Sequence, residues 1–191
     1  MKYIVIVAVA ILIFCGIAVG YTLGINSQDS NDTSQSGSSR SSANATVLDQ
    51  SSKGLTTVSP SIYEQTATTD LLLSNNDIET LPSQMGKMTN VVVFKIDHNH
   101  LQGSLIAEIR QMTKLVELDV SHNDMTGIPA EIGQLSRLQK LDYSYNKINS
   151  LPSELANLHG TLKEFDLTGN PLSQETISKL KSQLPGTNII F

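Results

Sequence analysis

Tryptophan is absent from this 191-residue chain, and cysteine occurs once, as Cys15. A single thiol excludes an intrachain disulfide framework and any metal site built from several cysteines. Cys15 also lies inside an apolar run, which leaves no cysteine elsewhere to act as a nucleophile. The fold must therefore depend on a core of packed side chains rather than on cross-links.

Positive charge is scarce and scattered along the sequence. Residues 26–191 contain 12 lysines and arginines (all but Lys2 of the 13 in the chain) against 18 aspartates and glutamates. Without a Lys/Arg cluster, this balance argues against nucleic acid or an anionic membrane surface as partner. A nucleophile elbow, a glycine-rich phosphate loop and an H-E-x-x-H zinc motif are also missing. The sequence therefore predicts a binding protein that is not an enzyme and needs no cofactor.

The N-terminal segment is the only long apolar run. Residues 3–25 contain no charge, and a helix rising ~1.5 Å per residue over this length crosses the ~30 Å hydrocarbon layer of a membrane. We interpret residues 1–25 as an uncleaved transmembrane signal-anchor helix. Lys2 before the run, and Asp29 after it, predict a cytoplasmic N-terminus and an extracytoplasmic body. A cleaved signal peptide ending near Gly20 is the alternative, and the body would then be secreted.

Residues 26–44 are rich in Ser, Asn, Thr and Gln and almost devoid of aliphatic side chains. Such a composition buries too little apolar surface to offset the entropy lost on ordering. We interpret this segment as a disordered linker between the anchor and a folded domain over residues 45–191.

A repeated pattern of apolar residues and asparagines runs through the rest of the sequence. Five asparagines, spaced 23, 24, 23 and 24 residues apart, share one frame, with apolar residues five and three before and two after each: Asn76, Asn99, Asn123, Asn146 and Asn170. The clearest copies are LVELDVSHNDMTGIPAEIGQ and LQKLDYSYNKINSLPSELAN, which start at Leu115 and Leu138. In such a frame, alternating apolar residues mark a short strand, and each asparagine marks a turn whose backbone groups its amide can satisfy.

This pattern, L-x-x-L-x-L-x-x-N-x-L-x-x-L-P-x-x-[IL], resembles the leucine-rich-repeat family in its 23–24-residue form, and in particular its membrane-anchored or exported bacterial-type members. The resemblance covers residues 45–191. Departures are Thr68 at a leucine position, Tyr143 in place of the second strand leucine, Ile106 in place of a proline, and one extra residue in LQGSL from Leu101.

The resemblance implies an α/β leucine-rich-repeat solenoid of about six repeats, with a curved parallel sheet on its concave side. The five asparagines would form a structural ladder inside it. A degraded repeat from about Ala45, in which Lys53 replaces the asparagine, would cap the N-terminal end. A helix after Ser173, followed by Ile189, Ile190 and Phe191, would cap the C-terminal end.

Function is expected on the concave side, where family members usually bind ligands. In the repeat register, Asp119, Asp142 and Asp166 fall in one column, beside a second column that holds Glu117, Lys140 and Glu164. A third column holds Ser52, Asn75, His98, His122, Tyr145 and Gly169. The candidate ligand-binding residues are Glu117, Asp119, His122, Lys140, Asp142, Tyr145, Glu164 and Asp166. They form either a docking strip for a basic peptide or an ordinary solvated face on which aspartate is common.

Three histidines near this strip raise the question of a metal. His98 and His122 occupy equivalent positions on adjacent repeats, and His100 and Asp97 are close in sequence. Structural zinc needs four ligands, and no fourth one is evident, so no metal site is predicted. The leading hypothesis is a membrane-tethered module that recognises a protein or peptide outside the cytoplasm. The alternative is a structural or adhesive envelope protein that contacts glycan or cell wall.

Overall fold

A computed structural model describes residues 45–191. The anchor predicted over residues 1–25 and the linker predicted over residues 26–44 lie outside the described residues. Within residues 45–191, no helix combines the length and the apolar character needed to cross a bilayer.

Seven short strands form one parallel sheet, in which they follow one another in chain order. The strands are β1 (Val47–Asp49), β2 (Asp70–Leu72), β3 (Val93–Lys95), β5 (Glu117–Asp119), β7 (Lys140–Asp142), β8 (Glu164–Asp166) and β9 (Asn188–Ile190). β4 (Gln102–Gly103) and β6 (Asp124–Met125) form a second, two-stranded parallel sheet. Each coil of the chain thus adds one strand beside the strand of the coil before it. This confirms the parallel solenoid that the repeat predicts.

The return path of each coil carries a short 3-10 helix after a residue with extended backbone. These helices cover Ser83–Lys87, Ala107–Gln111, Ala130–Gln134 and Ser153–Leu158. Proline precedes three of them, and Ile106 precedes the second with φ −61° and ψ 142°. Because these angles lie in the range that proline imposes, isoleucine takes the same conformation here without a proline ring. The departure from the sequence pattern therefore leaves the coil unchanged.

The extra residue of the third coil is accommodated on the edge of the stack. Gly103 has a φ of +67°, a conformation that glycine adopts without the steric cost of a side chain. Gly103 pairs with Met125 of the next coil in the β4–β6 ladder. The sequence identifies the extra residue, but this second sheet was not predicted.

The core lies between the main sheet and the 3-10 helices. The middle residue of each inner strand points inward and is buried: Leu71, Phe94, Leu118, Leu141 and Phe165. The outer residues of the same strands are exposed or half-buried. This alternation is expected for a sheet with one covered and one free face.

Both ends of the stack are covered as predicted. At the N-terminal end, β1 and α1 (Pro60–Tyr63) place Val58 and Ile62 in the core. At the C-terminal end, α2 (Gln174–Gln183) begins after Ser173, whose hydroxyl accepts a hydrogen bond from the Thr176 N–H. Leu180 and Leu184 are buried beneath it. β9 then extends the main sheet by one strand.

The five repeated asparagines lie in single file inside the turns that follow the strands. The Asn123 side chain is representative. Its oxygen accepts the Leu101 N–H of the preceding coil at 2.9 Å. Its amide nitrogen lies 3.1 Å from the Ile96 oxygen of the preceding coil and 3.1 Å from the Val120 oxygen of its own coil. Asn76, Asn99, Asn146 and Asn170 repeat this arrangement. Each asparagine therefore joins two coils while satisfying buried backbone groups.

Two polar atoms in the core lack such partners. Within residues 45–191, the Thr68 and Tyr143 hydroxyls are buried without a hydrogen bond. Both residues replace apolar residues of the repeat pattern. An orphaned hydroxyl of this kind costs about 1–3 kcal/mol. The two sites are therefore local weak points in a core that is otherwise apolar.

We expect Tyr143→Phe to stabilise the protein by about 1–3 kcal/mol, because it removes the orphaned hydroxyl and keeps the ring.

Burial also raises the pKa of Tyr143, so the folded protein retains a proton that the unfolded chain releases above about pH 10. Stability should therefore fall with rising pH above that value, by up to about 1.4 kcal/mol per pH unit from this group. Urea unfolding at neutral and alkaline pH measures both effects. Equal stability of wild type and variant, or an equal alkaline loss, would contradict the burial of this hydroxyl.

Candidate functional site

The free face of the main sheet presents the side chains of two columns in register. The inner column aligns Val47, Asp70, Val93, Glu117, Lys140, Glu164 and Asn188, and the outer column aligns Asp49, Leu72, Lys95, Asp119, Asp142, Asp166 and Ile190. This is the register expected from the repeat. All candidate residues on the strands therefore lie together on one surface.

Asp119, Asp142 and Asp166 follow one another on adjacent strands, and we refer to them as the acidic row. In each, one carboxylate oxygen accepts the backbone N–H two residues later, at 3.0, 2.9 and 2.8 Å respectively. These bonds hold the carboxylates at the point where the strand turns. Aspartate thus has a structural role at this position, and an asparagine side chain would supply the same acceptor.

The charges of the acidic row interact with one another. Partial burial raises the pKa of Asp142, and the negative charges of Asp119 and Asp166 add to the increase, while hydrogen bonds from Ser144 oppose it. Ionised Asp142 is therefore less stable in free energy in the folded protein than an exposed aspartate would be. A cation bound beside the row would reduce that cost.

The neighbouring charges of the free face are already paired. The Lys95 ammonium lies 2.8 Å from Glu117, and the Lys140 ammonium lies 3.3 Å from Glu164. The Glu117 partner also raises the pKa of Lys95. Because these two lysines neutralise the two glutamates, the acidic row is left as the main net charge on this part of the face.

Three aromatic side chains stand beside the acidic row, one per coil, and we call them the ring column: His98, His122 and Tyr145. The two imidazole rings are stacked with centroids 4.2 Å apart, and the His122 and Tyr145 rings are stacked at 4.4 Å. All three residues have a left-handed backbone, with φ between 51° and 52°. This region is costly for a bulky side chain such as tyrosine.

Gly169 ends the ring column. It has a φ of +76°, and a Cβ atom at this position would lie 2.9 Å from the Tyr145 ring. A side chain would therefore displace Tyr145. With His122 on one face and Gly169 close to its ring, Tyr145 offers solvent mainly its edge and hydroxyl, although 53% of the residue is exposed.

The histidines are held by neighbours other than a metal. His98 Nδ1 lies 2.9 Å from the Asp97 carboxylate, and His100 Nε2 lies 3.6 Å from that of Asp77. In the part of the chain that the structure describes, no group of three or more His, Cys, Asp or Glu side chains is arranged to hold a metal ion. The two stacked imidazoles contact each other through their ring faces.

The sequence identifies His122 and Tyr145 as candidates but does not predict their stacking. The repeat register places His98 in the same column, but the sequence-based candidates for ligand binding do not include it. The signal was present in the repeat register, because residues at the same position of adjacent coils are separated by one strand spacing of ~4.8 Å. Flat side chains in consecutive coils can therefore stack.

The strand order, the file of asparagines and the free polar face define a class of protein: a parallel-strand repeat solenoid. The sequence model of the leucine rich repeat family matches residues 113–172. Together with the solved structures described next, this match supports assignment of the repeats to the leucine-rich-repeat family.

Three solved structures are similar to this chain. A leucine-rich-repeat protein of Leptospira interrogans is 26% identical, with a TM-score of 0.57 over 71% of this chain and 40% of that chain. The ectodomain of an Arabidopsis thaliana membrane receptor kinase, solved with Casparian strip integrity factor 2, is 29% identical, with a TM-score of 0.56 over 61% of this chain and 14% of that chain. The Arabidopsis receptor kinase HAESA, solved with a peptide hormone and a co-receptor, is 31% identical, with a TM-score of 0.56 over 61% of this chain and 20% of that chain.

Among curated proteins, an adenylate cyclase of Neurospora crassa is 36% identical over 67 residues. The shared stretch is 35% of this chain and 3% of the cyclase. This chain therefore spans less than half of the length of each of these four proteins. The activity named for the cyclase does not transfer on so short a stretch.

Proposed function

We propose that this chain is a non-catalytic recognition module that binds a protein or an extended peptide on the free face of its main sheet. The observation that carries the proposal is the ring column standing beside the acidic row on a face that no other described element covers. Two of the similar structures support it, since they are receptor kinases solved with peptide or protein partners. We further propose that residues 3–25 anchor the module in a membrane and that it works outside the cytoplasm.

The charge of the face favours a basic partner. Lys95 and Lys140 form ion pairs with the two glutamates, so a lysine or arginine side chain of the partner would meet an acidic row that forms no ion pair within the described residues. Such a contact would also relieve the mutual repulsion that contributes to the raised pKa of Asp142. The Tyr145 hydroxyl and the exposed ring edges supply hydrogen-bonding groups beside it.

The ring column argues for a peptide rather than a glycan. A sugar ring usually packs its apolar side on an open aromatic face. Here the faces between His98, His122 and Tyr145 are occupied by one another. The edges that remain are suited to hydrogen bonds with a polypeptide. Adhesion to cell wall is therefore the alternative that the binding experiment must reject.

We expect Asp119→Asn, Asp142→Asn and Asp166→Asn together to weaken binding of a basic peptide at least tenfold. The asparagine oxygens keep the backbone hydrogen bonds of the row, so only the charge is lost. The free energy of unfolding should be unchanged or higher, because the variant no longer holds a partly buried negative charge at residue 142 beside two others. Fluorescence anisotropy with a labelled lysine-serine peptide measures binding to the full chain in neutral detergent. A glutamate-serine peptide is the matched probe.

The control variant carries Glu64→Gln, Glu79→Gln and Glu175→Gln, which remove the same number of charges from exposed residues off the free face. It should bind the basic peptide as wild type does. Equal binding by wild type and the acidic-row variant would reject a basic partner at this row. Retention of cell-wall glycan by wild type, the acidic-row variant and the control alike, with no peptide binding, would favour adhesion instead.

A further inference from the structure

The stack brings together cations that are scattered in the sequence. From the end of each 3-10 helix to the following strand, the chain runs along one edge of the solenoid, over residues 87–92, 110–116, 134–139 and 159–163. The first three segments begin with the last one or two residues of the helix. These four segments contain no aspartate or glutamate. They contain five exposed cations, which we call the basic edge: Lys87, Arg110, Lys114, Arg137 and Lys163.

The cations of the basic edge differ from those on other surfaces in their partners. Lys95, Lys140 and Lys147 each form an ion pair with a carboxylate. Among residues 45–191, none of the five basic-edge cations lies within 4.0 Å of a carboxylate oxygen. Their charge is therefore not neutralised by a direct contact within the described part of the molecule.

Two of these cations share a cleft. Arg137 and Lys163, from successive coils, line an open cleft together with Ser136, Gln139 and Thr161. The loop along one side of this cleft turns at Gly160, whose φ is +81°. The Lys163 ammonium donates one hydrogen bond to the Gly160 oxygen at 3.0 Å, which leaves two of its three protons available. The Arg137 guanidinium and the Ser136 hydroxyl form no side-chain hydrogen bond in the described region.

We propose that this cleft is an oxyanion site that takes a phosphate or sulfate group between Arg137 and Lys163. A guanidinium binds two oxygens of one anion through its planar fork, and an ammonium binds as a compact point charge. A tetrahedral oxyanion has enough acceptor oxygens to serve both groups at once. Lys114 lies one coil earlier on the same edge. It lengthens the positive surface, which would suit a polyanion longer than a single phosphate.

This inference is independent of the proposed peptide site, because none of the cleft residues lies on the free face of the main sheet. It also revises the charge argument drawn from the sequence. The scattered lysines and arginines argue against nucleic acid or an anionic membrane surface as partner, but the repeat places Lys114 and Arg137 at the same position of adjacent coils. The net negative charge of the chain hides this local excess of positive charge.

Calorimetric titration of the full chain in neutral detergent tests the site with inorganic phosphate, sulfate and glycerol phosphate. Chloride at equal ionic strength serves as the blank. We expect saturable binding, accompanied by amide NMR shifts at Gly160 and Thr161. Arg137→Gln with Lys163→Gln should weaken binding about tenfold or more. The matched control, Lys53→Gln with Lys179→Gln, should bind as wild type does.

The arms of the experiment separate the possible sources of the anion. Tighter binding of glycerol phosphate would identify an organic phosphate ester, such as a lipid headgroup, as the source, whereas tighter binding of inorganic phosphate or sulfate would identify a free anion. The proposal is overturned if none of the three binds saturably, or if the Arg137/Lys163 variant binds as wild type does. A polyglutamate peptide is titrated as a fourth probe, and the proposal is equally overturned if it alone binds, because the partner would then be an acidic protein segment.

Discussion

Asn123→Leu is expected to destabilise the protein by about 2–4 kcal/mol, because the buried Leu101 N–H loses its acceptor and three carbonyl oxygens each lose one of their two donors. The Asn123 side chain bonds the Leu101 N–H and the carbonyl oxygens of Ile96, Val120 and Ser121. Leucine has a similar size, so the loss reflects hydrogen bonding rather than a cavity. Urea unfolding of the full chain in neutral detergent, followed by circular dichroism, measures the difference.

Asn149→Leu is the matched control, since Asn149 is exposed and lies outside the file of asparagines. Its substitution should change stability by less than about 0.5 kcal/mol. Similar losses for the two variants would mean that the file of asparagines does not hold adjacent coils together.

Gly133→Ala is expected to cost about 1–3 kcal/mol or more, because one added methyl group has no room. A Cβ atom on Gly133 would lie 2.2 Å from the Glu154 backbone oxygen and 2.7 Å from the carbonyl carbon. The obstacle is backbone rather than the end of a flexible side chain, so the 3-10 helices of two successive coils would have to move apart. The melting temperature of the variant should fall accordingly.

Gly127→Ala provides the comparison for this substitution. A Cβ atom on Gly127 would meet nothing closer than the Ser104 side chain at 4.0 Å. Alanine there should be neutral or stabilise by up to about 1 kcal/mol, because it restricts the unfolded chain. A Gly133 variant as stable as the Gly127 variant would show that the coils are packed less closely than the structure indicates.

The sequence predicts the sheet and its register because each coil repeats the same slots. Leucine and asparagine positions recur every 23 or 24 residues, and a regular stack is the arrangement that buries all of them. The same register places Asp119, Asp142 and Asp166 in one row from the sequence alone. Departures are also explained by local conformation. Ile106 takes a backbone that proline prefers, and Gly103 absorbs the extra residue.

Other features depend on contacts between coils that a repeat pattern does not specify. The close approach of Gly133 to Glu154 follows from how two 3-10 helices pack. The stacking of His98 on His122 depends on a left-handed backbone and on side-chain rotamers. The repeat aligns Lys114 with Arg137, but Lys163 comes from a different repeat position, so only the folded chain brings it beside Arg137. Each of these lies between coils, where sequence spacing gives register but not side-chain direction.

Amide hydrogen exchange measured residue by residue tests the central claim most directly, namely that asparagine side chains tie each coil to the next. The N–H groups of Ile78, Leu101, Met125 and Ile148 donate to Asn99, Asn123, Asn146 and Asn170 of the following coil. We expect these four amides to exchange only when the stack unfolds, with the protection of the buried strands. Exchange at the rate of exposed loop amides would contradict the account.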